Sequence, residues 1–198
     1  MYRLFIALAN PDENYKILDM GVTPDTSLVE SNFFEKTYPY THNITMSSVE
    51  DASSLEQLFT GAEFVRYEGY GQFPFPDKKF DIAFSSAVLE HVGDNERQGH
   101  FIRECARVAK KVFITTPNKL FPVDFHTCIP LIHYLPQPVH QKILRLLRQD
   151  FLAKTENLNL LSKNKLLSLI PINPDWNVRI YHNRLCGIAS NLILYIET

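Results

Sequence analysis

The chain has 198 residues, 45% of them hydrophobic and 21% charged, which suits one globular domain built on one core. A net charge of −2 excludes the global basic field that nucleic-acid binding requires. Cys105, Cys128 and Cys186 form no CxxC pair, which argues against a disulfide framework and a cysteine zinc site and suits a reducing compartment.

The opening stretch MYRLFIALANPDENYK carries too short an apolar run for a signal peptide, and RLFIAL reads as an apolar lead-in that packs on the domain. No run approaches the ~18 apolar residues of a spanning helix, so the expected location is cytoplasmic. KILDMG (16–21) reads as a buried strand ending at a glycine, and 27–36 has mixed helical character. HNITM (42–46) is a second strand. Asp51 or Ser53 then caps an amphipathic helix with Leu55, Leu58 and Phe59 on one face. EFVRY (63–67) and FDIAF (80–84) are the third and fourth strands. Residues 95–108 form the clearest helix, with Phe101, Ile102, Cys105, Ala106 and Val108 on its apolar stripe. KVFITT (111–116) is a fifth strand, stopped by Pro117.

Strands alternating with helices predict an α/β domain: a Rossmann-like, doubly wound, mostly parallel sheet with helices on both faces. Ligands of such sheets lie at the carboxyl ends of the strands, so Gly21, Ser47, Glu68, Ser85 and Pro117 are expected to converge. After residue 118 the alternation stops. Residues 119–150 read as a substrate-lid insertion, rich in proline and histidine and ending in a basic amphipathic helix. KNKLLSLIP (163–171) is a last helix, and 176–197 reads as a hairpin that adds an antiparallel strand.

Five segments stand in a telling order: ILDMG (17–21), FPFPDKKFD (73–81), SSAVLEHV (85–92), RECARV (103–108) and KKVFITTPN (110–118). In this order they resemble the class I S-adenosylmethionine-dependent methyltransferases, in particular the type 11 branch. The resemblance covers residues 16–118, and GVTPD, SNFFEKTYPY and DFHTCIPLIHYLP resemble a bacterial subgroup. It implies a seven-stranded sheet and S-adenosylmethionine as cofactor. The family's usual glycine loop is GxGxG. Here Gly21 is followed by Val22, Thr23, Pro24 and Asp25, a departure that disfavours a nicotinamide enzyme more than one whose cofactor lacks phosphate.

Each candidate residue has a chemical reason and an ordinary alternative. Gly21, with Val22 beside it, permits a tight turn under the methionine part of the cofactor, or is an ordinary strand-end glycine. Asp19 inside an apolar strand needs a partner, either loop amides or the cofactor ammonium. Glu68, with Gly69, is implied near the adenine amino group, and otherwise is a solvated loop acid. Glu50 is a possible ribose acid, in competition with Ser48 and Asp51. Ser85 and Ser86 are implied at the methionine portion, and Glu90 and His91 near the transferred methyl; a packed histidine is the plain alternative for His91.

Methyl transfer from a sulfonium relies on positioning, and an oxygen nucleophile gains from a base. His126, flanked by Asp124 and Thr127 in the lid, is the base candidate, against a structural histidine. His126, His133 and His140 recur every seventh residue, but the intervening prolines break a shared helix face, so no metal ligand is assigned. Lys142, Arg145 and Arg148 lie among leucines; a solvated basic face is favoured over membrane contact. The expected partner is a small-molecule or glycan substrate, a lipid-linked sugar among the candidates, with O-methylation favoured. The alternatives are a methyltransferase-fold protein that acts as a non-catalytic binding subunit, and another Rossmann-like enzyme.

Overall fold

The computed structural model describes residues 1–198. Its centre is a seven-stranded sheet of β1 (Ile17–Met20), β2 (Ile44–Ser48), β3 (Glu63–Arg66), β4 (Phe80–Ser86), β5 (Ala109–Pro117), β6 (Asn177–Leu185) and β7 (Ile188–Glu197). The spatial order is β3-β2-β1-β4-β5-β7-β6. Neighbours from β3 to β5 pair in parallel, and β7 runs antiparallel to both β5 and β6. The strands expected from the sequence all form, and the terminal hairpin supplies the antiparallel strand.

Alternation along each central strand divides the core in two. Leu18, Met20, Ala83, Val112 and Ile114 face one layer, which holds α4 (Asn95–Val108) and α6 (Lys163–Leu169). Ile17, Ile44, Met46, Ile82, Phe84 and Phe113 face the other, with α1 (Tyr2–Ala9), α2 (Phe33–Thr37) and α3 (Leu55–Leu58). The apolar lead-in is therefore a helix. It seats Phe5 edge-on against Phe34, Phe84 and Phe113, with centroids 5.1–5.5 Å away.

Two helical segments are shorter than expected. Only Phe33–Thr37 of the second segment is helical. Asp51 does not cap α3; its Oδ1 accepts the Ser53 N–H at 3.0 Å in a local turn, and the helix starts at Leu55.

The β3–β4 crossover contains no helix. Its residues 73–77 instead run along α4, with Phe73 and Phe75 buried in the core. Glu104 accepts the Phe73 N–H at 2.7 Å. Arg107 donates to the Phe73 and Phe75 carbonyls and pairs with Glu104 and Asp77. The ECARV motif is thus the clamp for the FPFPD motif. Asp94 caps α4 through the Arg97 N–H at 3.0 Å.

Residues 119–131 form turns joined by an isolated bridge between Val123 and Pro130, followed by a 3-10 turn (Ile132–Tyr134) and α5 (Gln137–Leu146). Of the α5 leucines, Leu144 is buried and Leu146 is exposed. No helix of the chain is long and apolar enough to cross a membrane.

Candidate active site

Hydrogen bonds lash the carboxyl ends of three strands together. The Gly21 N–H donates to the Ser47 carbonyl at 2.7 Å, and the Ser85 hydroxyl donates to the Met20 carbonyl at 3.0 Å. Ser85 is fully buried and lines neither cavity described below, so its hydroxyl is a strand tie. Ser86, one residue on, lines the smaller cavity and shares a 3.1 Å hydrogen bond with the Thr115 hydroxyl.

Two cavities of ≈ 510 and ≈ 400 Å³ meet at these strand ends and share Gly21, Val22, Thr23 and Ala87. The larger is lined by Glu50, Tyr67, Glu68, Gly69, His91 and Arg97, among others. The smaller holds Asp19, Glu35 and Ser86. Gly21 sits at the junction with φ 99°, and a Cβ there would lie 2.1 Å from Val88 Cγ2. Glycine is required on both counts: the left-handed backbone and the approach of Val88.

The smaller cavity carries an unusual charge arrangement. Asp19 projects from β1 and Glu35 from α2, and both are buried. No other side chain donates to the oxygens of Glu35, which lie within hydrogen-bonding reach of the Asp19 carboxyl. Burial first, and the Glu35 charge second, push the Asp19 carboxyl well above its ordinary range. Burial also raises Glu35. Such a pair has the chemistry to accept a cationic group, which would supply donors and opposite charge.

The loop after β1 lacks the usual glycines yet is firmly built. Asn32 clamps it from α2's entry: its amide donates to the Thr23 carbonyl at 2.8 Å and its Oδ1 accepts the Thr23 N–H at 3.0 Å. Asp25 then accepts the Ser27 N–H at 2.8 Å.

Beside the larger cavity, segments 89–91 and 124–127 bring four titratable side chains together. His126 Nδ1 hydrogen-bonds Asp124 Oδ1 at 2.8 Å, and its Nε2 lies 3.1 Å from His91 Nε2. His91 Nδ1 donates to the Asn157 carbonyl at 2.6 Å. Glu90 is fully buried; its Oε2 accepts the Thr116 hydroxyl at 2.9 Å, and its Oε1 has no hydrogen-bond partner and lies 3.9 Å from His126 Nε2. Burial raises the Glu90 carboxyl. Burial depresses the His126 imidazole, but hydrogen bonding and charge from Asp124 outweigh it and raise the net value. Asp124 itself is lowered: its desolvation is outweighed by the hydrogen bonds from His126.

Of the expected site residues, Asp19, Gly21, Val22, Glu50, Glu68, Gly69 and Ser86 line one or both cavities, and Glu90, His91 and His126 cluster beside them. His126 and His133 do not act together. His133 Nε2 is taken by the Phe121 carbonyl at 2.9 Å, and the partner of His126 is His91. Sequence reasoning missed Glu35, whose only signal was an acid between phenylalanine and lysine in a short helical segment. It also missed the contact between His91 and His126.

This sheet order, with one antiparallel strand, is the fold seen in solved S-adenosylmethionine-dependent methyltransferases. Residues 35–112 match the family model described as a methyltransferase domain. The chain is similar to an S-adenosylmethionine-dependent methyltransferase from Mesorhizobium loti, at 12% identity and TM-score 0.58, covering 98% of this chain and 95% of that one. It is also similar to a methyltransferase from Methanosarcina mazei, at 15% identity and TM-score 0.55, covering 98% and 96%. The magnesium protoporphyrin IX methyltransferase of Synechocystis, solved with bound S-adenosylhomocysteine, aligns at 13% identity and TM-score 0.53, covering 99% and 80%. No curated protein sequence matches the chain.

Proposed function

We propose that this protein transfers the methyl group of S-adenosylmethionine to an oxygen of a small molecule or glycan. The observation that carries the cofactor reading is the buried Asp19–Glu35 pair, in which both Glu35 oxygens lack an outside donor and suit the ammonium of the cofactor's methionine part. Glu50 and Glu68 in the larger cavity suit the ribose hydroxyls and the adenine amino group. The junction at Gly21 would let one extended molecule occupy both cavities. Bound there, the cofactor supplies an electrophilic methyl group.

The chain's own residues supply positioning and proton handling. Asp124 orients His126 and favours its protonated form, so His126 is suited to take a proton from an acceptor hydroxyl. The Glu90 and His91 side chains bound the same corner, and residues 119–150 cover it as a lid.

Calorimetric titration with S-adenosylhomocysteine tests the cofactor reading. Micromolar binding that weakens in Glu35→Gln is expected. Absence of binding at millimolar ligand would reject it in favour of a non-catalytic binding protein.

A further inference from the structure

We propose that Glu90, His91 and His126 bind one divalent transition-metal ion, of the zinc class, at the edge of the larger cavity. A ligand atom from each of the three side chains lies within 4.8 Å of the others. The two Nε2 atoms are 3.1 Å apart, and Glu90 Oε1 is 3.9 Å from His126 Nε2. Two ligand atoms bound tetrahedrally at ~2.1 Å to one zinc ion stand ~3.4 Å apart. Shifts of under about 1 Å would therefore complete the coordination.

The outer nitrogens are already committed. His126 Nδ1 meets the Asp124 carboxylate and His91 Nδ1 meets the Asn157 carbonyl, and both partners can only accept. Each ring therefore carries a proton on Nδ1, and in its neutral form turns a lone pair at Nε2 toward the other ring. That is how outer-sphere acceptors prepare imidazoles as metal ligands. Without a metal ion, a single proton shared between the two Nε2 atoms would hold them at 3.1 Å, and a metal ion would take that proton's place.

The second, independent sign is Glu90. Its Oε1 is fully buried and without a donor, while Oε2 is held by Thr116. A buried carboxyl oxygen with no donor, 3.9 Å from an imidazole nitrogen, is satisfied by a cation placed between them. Two histidines and one carboxylate form the donor set of open zinc sites and of other first-row metal sites, with positions left for an exchangeable ligand. His91 also lines the larger cavity, so those positions face it. The ligand class that fits them is an oxygen donor, such as an acceptor hydroxyl; with the ion bound, His126 Nε2 is a ligand and not the base, and the hydroxyl proton passes to solvent. This last step alone rests on the methyltransferase reading; the metal site does not.

The test uses the full chain stripped with chelator. Calorimetry with zinc(II) should give one ion per chain, and cobalt(II) should give the intense visible bands of a low-coordinate site. His91→Ala and His126→Ala should each weaken zinc binding at least 100-fold, and Asp124→Asn by about 10–100-fold through loss of the outer hydrogen bond. Zinc binding weaker than millimolar, a cobalt spectrum matching the hydrated ion, or unchanged affinity in the His91→Ala/His126→Ala double variant would overturn the proposal. The cobalt spectrum of the unmodified chain decides the matter even if a variant fails to fold. S-adenosylhomocysteine titrated into the same metal-free sample reports separately: binding there with no metal uptake would remove the metal site and leave the methyltransferase reading standing.

Discussion

Glu104 accepts the main-chain N–H of Phe73 at 2.7 Å, which fastens the β3–β4 crossover to a helix that follows it in sequence. Arg107 completes the clamp through two further carbonyls of the same segment. Glu104→Ala would orphan that N–H and leave Arg107 with only the more exposed Asp77 as ionic partner. A loss of about 2 kcal/mol is expected, read by urea denaturation. Glu104→Gln, which can still accept, should lose less.

The Asp19–Glu35 pair predicts an inverse pH dependence of stability. Burial raises both carboxyls in the folded protein, so folding favours their neutral forms. Below the ordinary carboxylate range both are protonated, folded or unfolded, and the pair costs nothing. As pH rises through the elevated folded values, ionisation is penalised and stability is lost. Glu35→Gln should therefore melt higher than the parent protein at pH 7–8, with the difference vanishing near pH 4. Parallel melting curves at all pH values would contradict this account.

Gly21→Ala should be costly through both strain and collision. The φ of 99° is unfavourable for alanine, and the new Cβ would meet Val88 Cγ2 at 2.1 Å. A loss of about 2–4 kcal/mol is expected. Adding Val88→Ala should recover part of it by removing the collision, while the backbone strain remains. Thermal melts of the single and double variants measure the two contributions.

His126→Ala should lower methyl transfer by roughly 10²–10⁴-fold, the range for losing a proton acceptor, with little change in S-adenosylhomocysteine affinity. Asp124→Asn should give a smaller loss. Turnover unchanged in His126→Ala would remove His126 from the mechanism.

Phe5→Ala tests the first helix. The ring packs against Phe34, Phe84 and Phe113 and is fully buried, so its removal should cost about 3–5 kcal/mol. Because Phe34 precedes Glu35, the same variant should also weaken cofactor binding.

The strands and the long helix were legible because each declares itself locally. Ile17–Met20 is apolar but for Asp19, Val112–Ile114 is an unbroken apolar run, and Asn95–Val108 repeats its apolar face every three to four residues behind an aspartate cap. Proximity between distant segments was not legible. Glu104 looks like an outward-facing helix acid until the 73–77 segment is laid beside it. Glu35 looks solvated until α2 packs its phenylalanine onto Phe84. His126 and His133 share a tempting spacing, yet the lid turns between them, and only the folded chain puts His126 on His91. The missing glycines after β1 suggested a weakened loop. Asn32 supplies in two side-chain hydrogen bonds the order that no single residue of 21–25 announces.

The contact of Gly21 with Val88 also bears on how this site can vary. The two positions share one volume: any atom added at 21 has to be withdrawn from 88. Among variants of this chain they should change together or not at all. A pair of residues remote in sequence thus behaves as a single locus, one that limits how far the passage between the two cavities can be widened without loosening β1.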